Sequence, residues 1–225
     1  MAPDPDPAPQ ELLLDVWADV ICPFCLLGDE QLRRAIEAEG LTGAVRIRRH
    51  SFELDPQAPA EPRSNLEYLA EKTGTDREEA IRREQVVQSA AQALGLDFVL
   101  ERPVASTLAV HRVVQHAGRS GRDDELFRAL QQAYFAGTLD PFDPEALIRA
   151  AGAQGLDEDA LRADLADPAS EEAVRADEDA AARLGARGVP FVVIAGRLGV
   201  PGAVGVDAFR DALRQGRELA GTDAG

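Results

Sequence analysis

Cys22 and Cys25, in the run Ile21-Cys22-Pro23-Phe24-Cys25-Leu26-Leu27, are the only cysteines of the chain and are separated by two residues. A pair so spaced suits a redox dithiol, in which one sulfur attacks a disulfide as its thiolate and the other releases the mixed disulfide from within. The neighbouring residues assign the two parts. Leu12-Leu13-Leu14, then Val16 and Trp17, read as a strand, while Leu26, Leu27, Leu32 and Ile36 recur at helical spacing. Cys22 is therefore expected where a strand turns into a helix, where unpaired N–H groups and the helix dipole favour a thiolate. Pro23 suits the first helical position and brings Cys25 round within the first turn as the resolving thiol.

Two plainer uses of a C-x-x-C are weaker. Zinc needs two further ligands, yet there is no second cysteine pair, and of His50, His111 and His116 the last two stand five apart, a poor spacing for one helix face. No metal site is expected. A structural disulfide across so short a loop would remove little chain entropy.

A length of 225 residues allows one domain, or a domain carrying an insertion, with a sizeable core. Residues 1–10 are acidic and proline-rich, with neither a basic nor an apolar segment, and read as a disordered tail rather than a secretory signal. No apolar stretch reaches the roughly 20 residues of a membrane span. The net charge of -16 would repel nucleic acid and anionic membranes, and its acids are spread along every helical segment, as on a solvated surface. A soluble cytoplasmic protein is expected, with neither nucleic acid nor membrane as partner.

Val45, Ile47 and Arg49 lead through Ser51-Phe52 as a second strand after the helix that Gly40 ends, so a parallel crossover is expected. The proline-dense run Asp55–Pro62 marks a boundary. From Ser64 to about Ala166 the pattern is wholly helical, with segments near 64–73, 76–95, 106–119, 123–137, 144–154 and 158–166 and a capping box at Thr75 and Glu78. A further helix from Ser170 to near Gly185 precedes Phe191–Ile194, a turn at Ala195-Gly196-Arg197, the strand Leu198–Val200 and a closing helix from Asp207 to Arg217. Without its helical middle the chain reads β-α-β, then α-β-β-α, a mixed sheet with helices on both faces. The expected division is a tail over 1–10, a sheet domain in two parts over 11–56 and 170–218, a helical insertion over 57–169, and a flexible end over 219–225.

Cys22-Pro23-Phe24-Cys25, the Gly188-Val189-Pro190-Phe191 step and the order of elements resemble the thioredoxin-like fold with a DsbA-type helical insertion. With Phe52-Glu53-Leu54, Thr107–Arg112, Ala133-Tyr134-Phe135 and Gly202-Ala203, the chain is similar to the FrnE-like cytoplasmic branch of the DsbA family over roughly residues 11 to 218. The resemblance implies a cis Val189–Pro190 bond against the cysteine pair. Pro23, Phe24, Val189 and Pro190 would then receive an extended substrate by a few strand-like hydrogen bonds. Two positions depart from the family pattern. Phe24 stands where DsbA has histidine and cannot stabilise a thiolate, which implies a weaker oxidant than DsbA and a resting dithiol. Val204 stands where the branch often has glutamine and leaves the surroundings of Pro190 more apolar.

The resemblance thus implies a thiol-disulfide oxidoreductase, a disulfide reductase or isomerase acting on protein or small-molecule thiols and disulfides. It needs no cofactor beyond the Cys22–Cys25 disulfide, with glutathione as an available co-substrate. A glutathione-dependent isomerase or transferase, of the hydroxychromene-carboxylate isomerase or kappa-class type, is the alternative, although those enzymes usually place serine where Cys22 stands. A binding module with incidental thiols is the third reading. In the second shell, His111 is a candidate proton relay to Cys25, Asp19 a candidate influence on the Cys22 thiol, and Trp17 a convenient fluorescence reporter.

Overall fold

A computed structural model describes residues 11–221; the tail expected over 1–10 and residues 222–225 lie outside the described residues. Four strands form a mixed sheet in the order β2-β1-β5-β6, where β1 is Leu12–Ala18, β2 Val45–Ser51, β5 Phe191–Ile194 and β6 Leu198–Pro201. A crossover through α1 (Pro23–Ala38) sets β2 parallel to β1, from Leu12 opposite Val45 to Ala18 opposite Ser51, whereas β5 runs antiparallel to both β1 and β6. Ala195 and Gly196 both take positive φ and return the chain from β5 to β6, with the Arg197 N–H donating to the Ile194 carbonyl at 3.0 Å.

The period of two along each strand separates two cores. Leu12, Leu14 and Val16 of β1 and Val192 and Ile194 of β5 pack with Leu32 and Ala35 of α1 and with Phe209 and Leu213 of α9 (Val206–Gly221). Trp17, Phe191 and Val193 face the other way, onto Ala181 of α8 (Ala169–Arg183). Helices thus cover both faces, as the patterning predicts. Two glycines make the close approaches on the first face. A Cβ on Gly28 of α1 would stand 2.9 Å from the Pro190 ring, and one on Gly216 of α9 would run into Ile194.

Between β2 and α8 lie α2 (Asn65–Thr73), α3 (Arg77–Ala93), α4 (Leu108–Gly118), α5 (Asp123–Phe135), α6 (Pro144–Ala153) and α7 (Glu158–Ala166). This stretch is not wholly helical. Arg63–Ser64 (β3) and Pro103–Val104 (β4) pair antiparallel, and Asn65 closes the ribbon by donating its N–H to the Arg102 carbonyl at 3.0 Å and accepting the Arg102 N–H on its side chain at 2.8 Å. A two-residue strand is too short to leave a periodic signal. The expected cap of α3 is one residue out: Asp76 rather than Thr75 accepts the N–H of Glu79, at 2.7 Å. At the other end, residues 219–221 belong to α9 rather than to a flexible tail, because Ala220 still packs on the core below the sheet.

Candidate active site

Cys22 is the N-cap of α1, with extended backbone (φ -77°, ψ 114°), and Pro23 occupies the first turn. No side chain caps this helix end and no acid stands in its first turn, so the positive end of the dipole is left to whatever sits at Cys22. The Cys25 and Leu26 N–H groups donate to the Cys22 carbonyl at 3.1 and 3.3 Å, which fixes the turn that carries both sulfurs. Both cysteines are free thiols, 3% and 2% exposed, at one end of a core that includes Val20 and Val113, Phe127 and Leu130 from α4 and α5. The dithiol therefore lies where the sheet meets the helical segment.

The two sulfurs have different surroundings. Cys22 Sγ lies 3.7 Å from the Val189 carbonyl and lines an open cavity of about 650 Å³. Cys25 faces inward. Burial pushes its thiol well above the ordinary value; the hydrogen bond to Cys22 and the negative charges of Cys22 and Asp19 add to this, against a backbone hydrogen bond from Asp19. The sequence reading gives Asp19 as a candidate influence on Cys22; its charge also bears on Cys25.

Val189 and Pro190 close the site opposite the cysteines. Their peptide bond is cis, the Gly202 N–H donates to the Pro190 carbonyl at 2.8 Å, and the Pro190 ring rests over Gly28. Pro23, Phe24 and Val189 line the same cavity as Cys22, and Phe24 is 53% exposed at its mouth. Val204 is 40% exposed in the loop that follows Gly202. Of the eight residues that sequence placed in the active-site cluster besides Val204 and Trp17, Cys22, Pro23, Phe24 and Val189 line the cavity, whereas Cys25, Pro190, Asp19 and His111 are buried behind its wall.

Asp19 is fully buried and ties three segments together. It accepts the Leu54 N–H at 2.7 Å and the Thr107 hydroxyl at 3.2 Å, while Gln131 donates to its carbonyl at 3.1 Å. His111, also buried, places Nε2 3.6 Å from Asp19 Oδ1, and that nitrogen has no hydrogen-bond partner. The nearest charged group to His111 Nε2 is thus the Asp19 carboxylate, and no hydrogen bond joins that nitrogen to a thiol. Trp17 is core, as its apolar setting predicts, but it stacks on His50 with ring centroids 4.3 Å apart and donates to the Asp177 carbonyl at 3.0 Å. Its emission consequently reads the His50 side of the sheet before it reads the cysteines.

Sequence reasoning missed most of the cavity. Leu54, Tyr68, Leu69, Val86 and Val87 supply apolar wall, and a buried Glu84–Arg102 ion pair at 2.6 Å lies among them. One signal was available: Val86 falls off the apolar stripe Ala80, Ile81, Val87, Ala91 and Leu94, and it is 71% exposed. Among the described residues there is no cluster of three or more His, Cys, Asp or Glu side chains able to hold a metal, and no helix long and apolar enough to cross a membrane.

Comparison with known proteins places this architecture. The DSBA-like thioredoxin domain matches residues 13–214, and the chain belongs to that family. A probable DsbA oxidoreductase from Streptomyces coelicolor is 36% identical, over 92% of this chain and 90% of its own, with a TM-score of 0.86. Two more distant structures share the fold. The cytosolic disulfide reductase DsbM from Pseudomonas aeruginosa, also solved with GSH, is 15% identical over 94% and 98% of the two chains, with a TM-score of 0.59. A 2-hydroxychromene-2-carboxylate isomerase is 19% identical over 93% and 98%, with a TM-score of 0.63. Among curated proteins no sequence matches.

Proposed function

From that membership we propose that the chain is a cytoplasmic thiol-disulfide oxidoreductase, reducing or isomerising disulfides through Cys22 and Cys25. The observation that carries this reading is the asymmetry of the pair: Cys22 at an uncapped helix end on an open cavity, Cys25 buried with its thiol held protonated. The Cys22 thiolate bonds to one sulfur of the substrate disulfide as that S–S bond breaks, and the second substrate sulfur leaves as a thiolate and takes a proton. Cys25 then gives up its proton and attacks the Cys22 sulfur. The first substrate sulfur is released, also to be protonated, and the protein has passed two electrons to the substrate. A cellular thiol reductant restores the dithiol. Val189 offers its backbone beside Cys22, so an extended substrate can align there by strand-like hydrogen bonds.

Cysteine in the nucleophile position, rather than a hydroxyl, sets this reading above glutathione-dependent isomerisation. Equilibration in glutathione buffers, read by thiol alkylation and mass, tests it. A reversible two-electron transition below about -200 mV is expected, whereas a midpoint near about -120 mV would make the protein an oxidant. No transition at any ratio would overturn the redox reading.

A further inference from the structure

The sheet ends on β2, which pairs with β1 on one side and with no other strand among the described residues. Successive residues of a strand point their N–H and C=O groups to alternate sides. The Ala44 carbonyl accepts the Leu12 N–H of β1 at 2.9 Å, so Arg46, Arg48 and His50 also turn inward, and Val45, Ile47, Arg49 and Ser51 turn outward. The two halves of the outward edge differ. Carboxylates from the helices close the second half: Asp123 accepts the Arg49 N–H at 2.6 Å and Asp177 the Ser51 N–H at 2.8 Å. In the first half the N–H groups of Val45 and Ile47 have no partner among the described residues. An edge left open in this way is a template for one more strand.

There is room for that strand, and the side chains of β2 set its chemistry. Val45 and Ile47 line a groove of about 460 Å³ together with Ile36 of α1, and both rest on the core below the sheet. Arg46 and Arg48 point to the opposite face. Arg46 is exposed with no ion pair among the described residues, and Arg48, half-exposed, pairs with Asp15 at 2.6 Å. A strand added here therefore meets apolar side chains on one face and arginines on the other. A second copy of β2, joined by its own open edge, would set arginine against arginine in any register, which is destabilising. Acidic side chains fit instead. The net charge of -16 slows the approach of an acidic partner, but at the edge itself the unpaired charge is Arg46.

We propose that the open half of β2 docks an extended segment of a partner protein in which apolar and acidic residues alternate. Its main chain bonds to the Val45 and Ile47 edge, its apolar side chains enter the groove, and its acids face Arg46 and Arg48. Val45 stands opposite Leu12, at the end of β1 away from the Cys22 turn, so the length of β1, roughly 20 Å, separates this edge from the thiols. A partner held there leaves Cys22 free.

Amide hydrogen exchange of the full chain, followed residue by residue by NMR, tests it with two peptides, one of alternating valine and aspartate and one with lysine for aspartate. In the protein alone Val45 and Ile47 should exchange at least about tenfold faster than Arg49, whose N–H is held by Asp123. A saturating amount of the valine–aspartate peptide should slow both at least about tenfold, the effect of about one hydrogen bond, while the lysine peptide leaves them unchanged. Arg46→Glu, a change at an exposed side chain, should reverse that preference. Slow exchange of Val45 and Ile47 in the protein alone would overturn the proposal. If dilution relieved it, a second copy covers the edge; if not, another part of the same chain does. No change with either peptide, or equal protection by both, would overturn it as well. Protection accompanied by loss of Cys22 alkylation would place the peptide at the thiols instead and also overturn it.

Discussion

Asp15 within β1 and Asp19 just beyond its end each face a histidine, half-buried in the first case and fully buried in the second, and the two pairs are built differently. His50 is gripped by Asp15 at 2.8 Å and Asp177 at 2.7 Å, with Trp17 stacked on its ring. Burial works against charging the ring, but these hydrogen bonds outweigh it and raise its pKa to about 9. Burial likewise raises the Asp15 carboxyl, and the hydrogen bonds from His50 and Arg48 more than reverse that. His111 is instead 3.6 Å from Asp19 with Nε2 unpaired, and the Asp19 charge bears on Cys25. The same residue types thus lock the body of the sheet in one place and stand beside the thiols in the other. A satisfied polar cluster spends its interactions on stability; one left incomplete leaves its charge acting on its neighbours.

The widest separation between the two regions is expected in stability against pH. A histidine whose folded pKa is raised from 6.5 to about 9 contributes its full stabilisation below pH 6.5 and loses it as pH rises through about 9. At about 1.4 kcal/mol per tenfold, that is roughly 3 kcal/mol. Urea unfolding of the wild type should show this loss between pH 6.5 and 9.5, the Trp17 emission of the folded protein should change around pH 9, and His50→Phe should abolish both. A fluorescence transition in His50→Phe identical to the wild type would break the assignment.

Two glycine substitutions sharpen the same contrast. Gly216→Ala forces a methyl into Ile194 under the body of the sheet and should cost about 2 kcal/mol of unfolding free energy, leaving the disulfide exchange rate of the folded protein unchanged. Gly28→Ala presses on the Pro190 ring at 2.9 Å and so displaces the wall of the site. It should slow exchange with a peptide disulfide about tenfold. The smallest effect is expected of Asp19→Asn: removing the carboxylate charge lowers the Cys25 thiol pKa, and alkylation of Cys25 at pH 8.5 should quicken roughly threefold.

The sheet, its crossover and the strand-to-helix junction at Cys22 were legible because each rests on a local period or on one residue's backbone chemistry. Leu14 and Val16 alternate with Trp17, Pro23 opens α1, and Ala195-Gly196 turns the last hairpin. What was not legible depends on distant partners. His50 and His111 look alike in a sequence, and only the fold brings Asp177 to His50 from 127 residues away. The β3–β4 ribbon joins residues some 40 apart through two-residue strands. The cavity is assembled from α1, the segment after β2, α2 and α3, and its one sequence trace, Val86 off its helix stripe, becomes meaningful once the Cys22 turn faces it.

The central claim is that the two thiols, both buried, are unequal: Cys22 lines the cavity, while Cys25 lies off it and is held protonated. It is tested most directly by iodoacetamide alkylation of the reduced protein from pH 6 to 9, with each cysteine followed by peptide mass. Cys22 should be modified first at every pH in that range, with Cys25 lagging by at least about tenfold. Equal rates at the two cysteines, or faster modification of Cys25, would contradict the account.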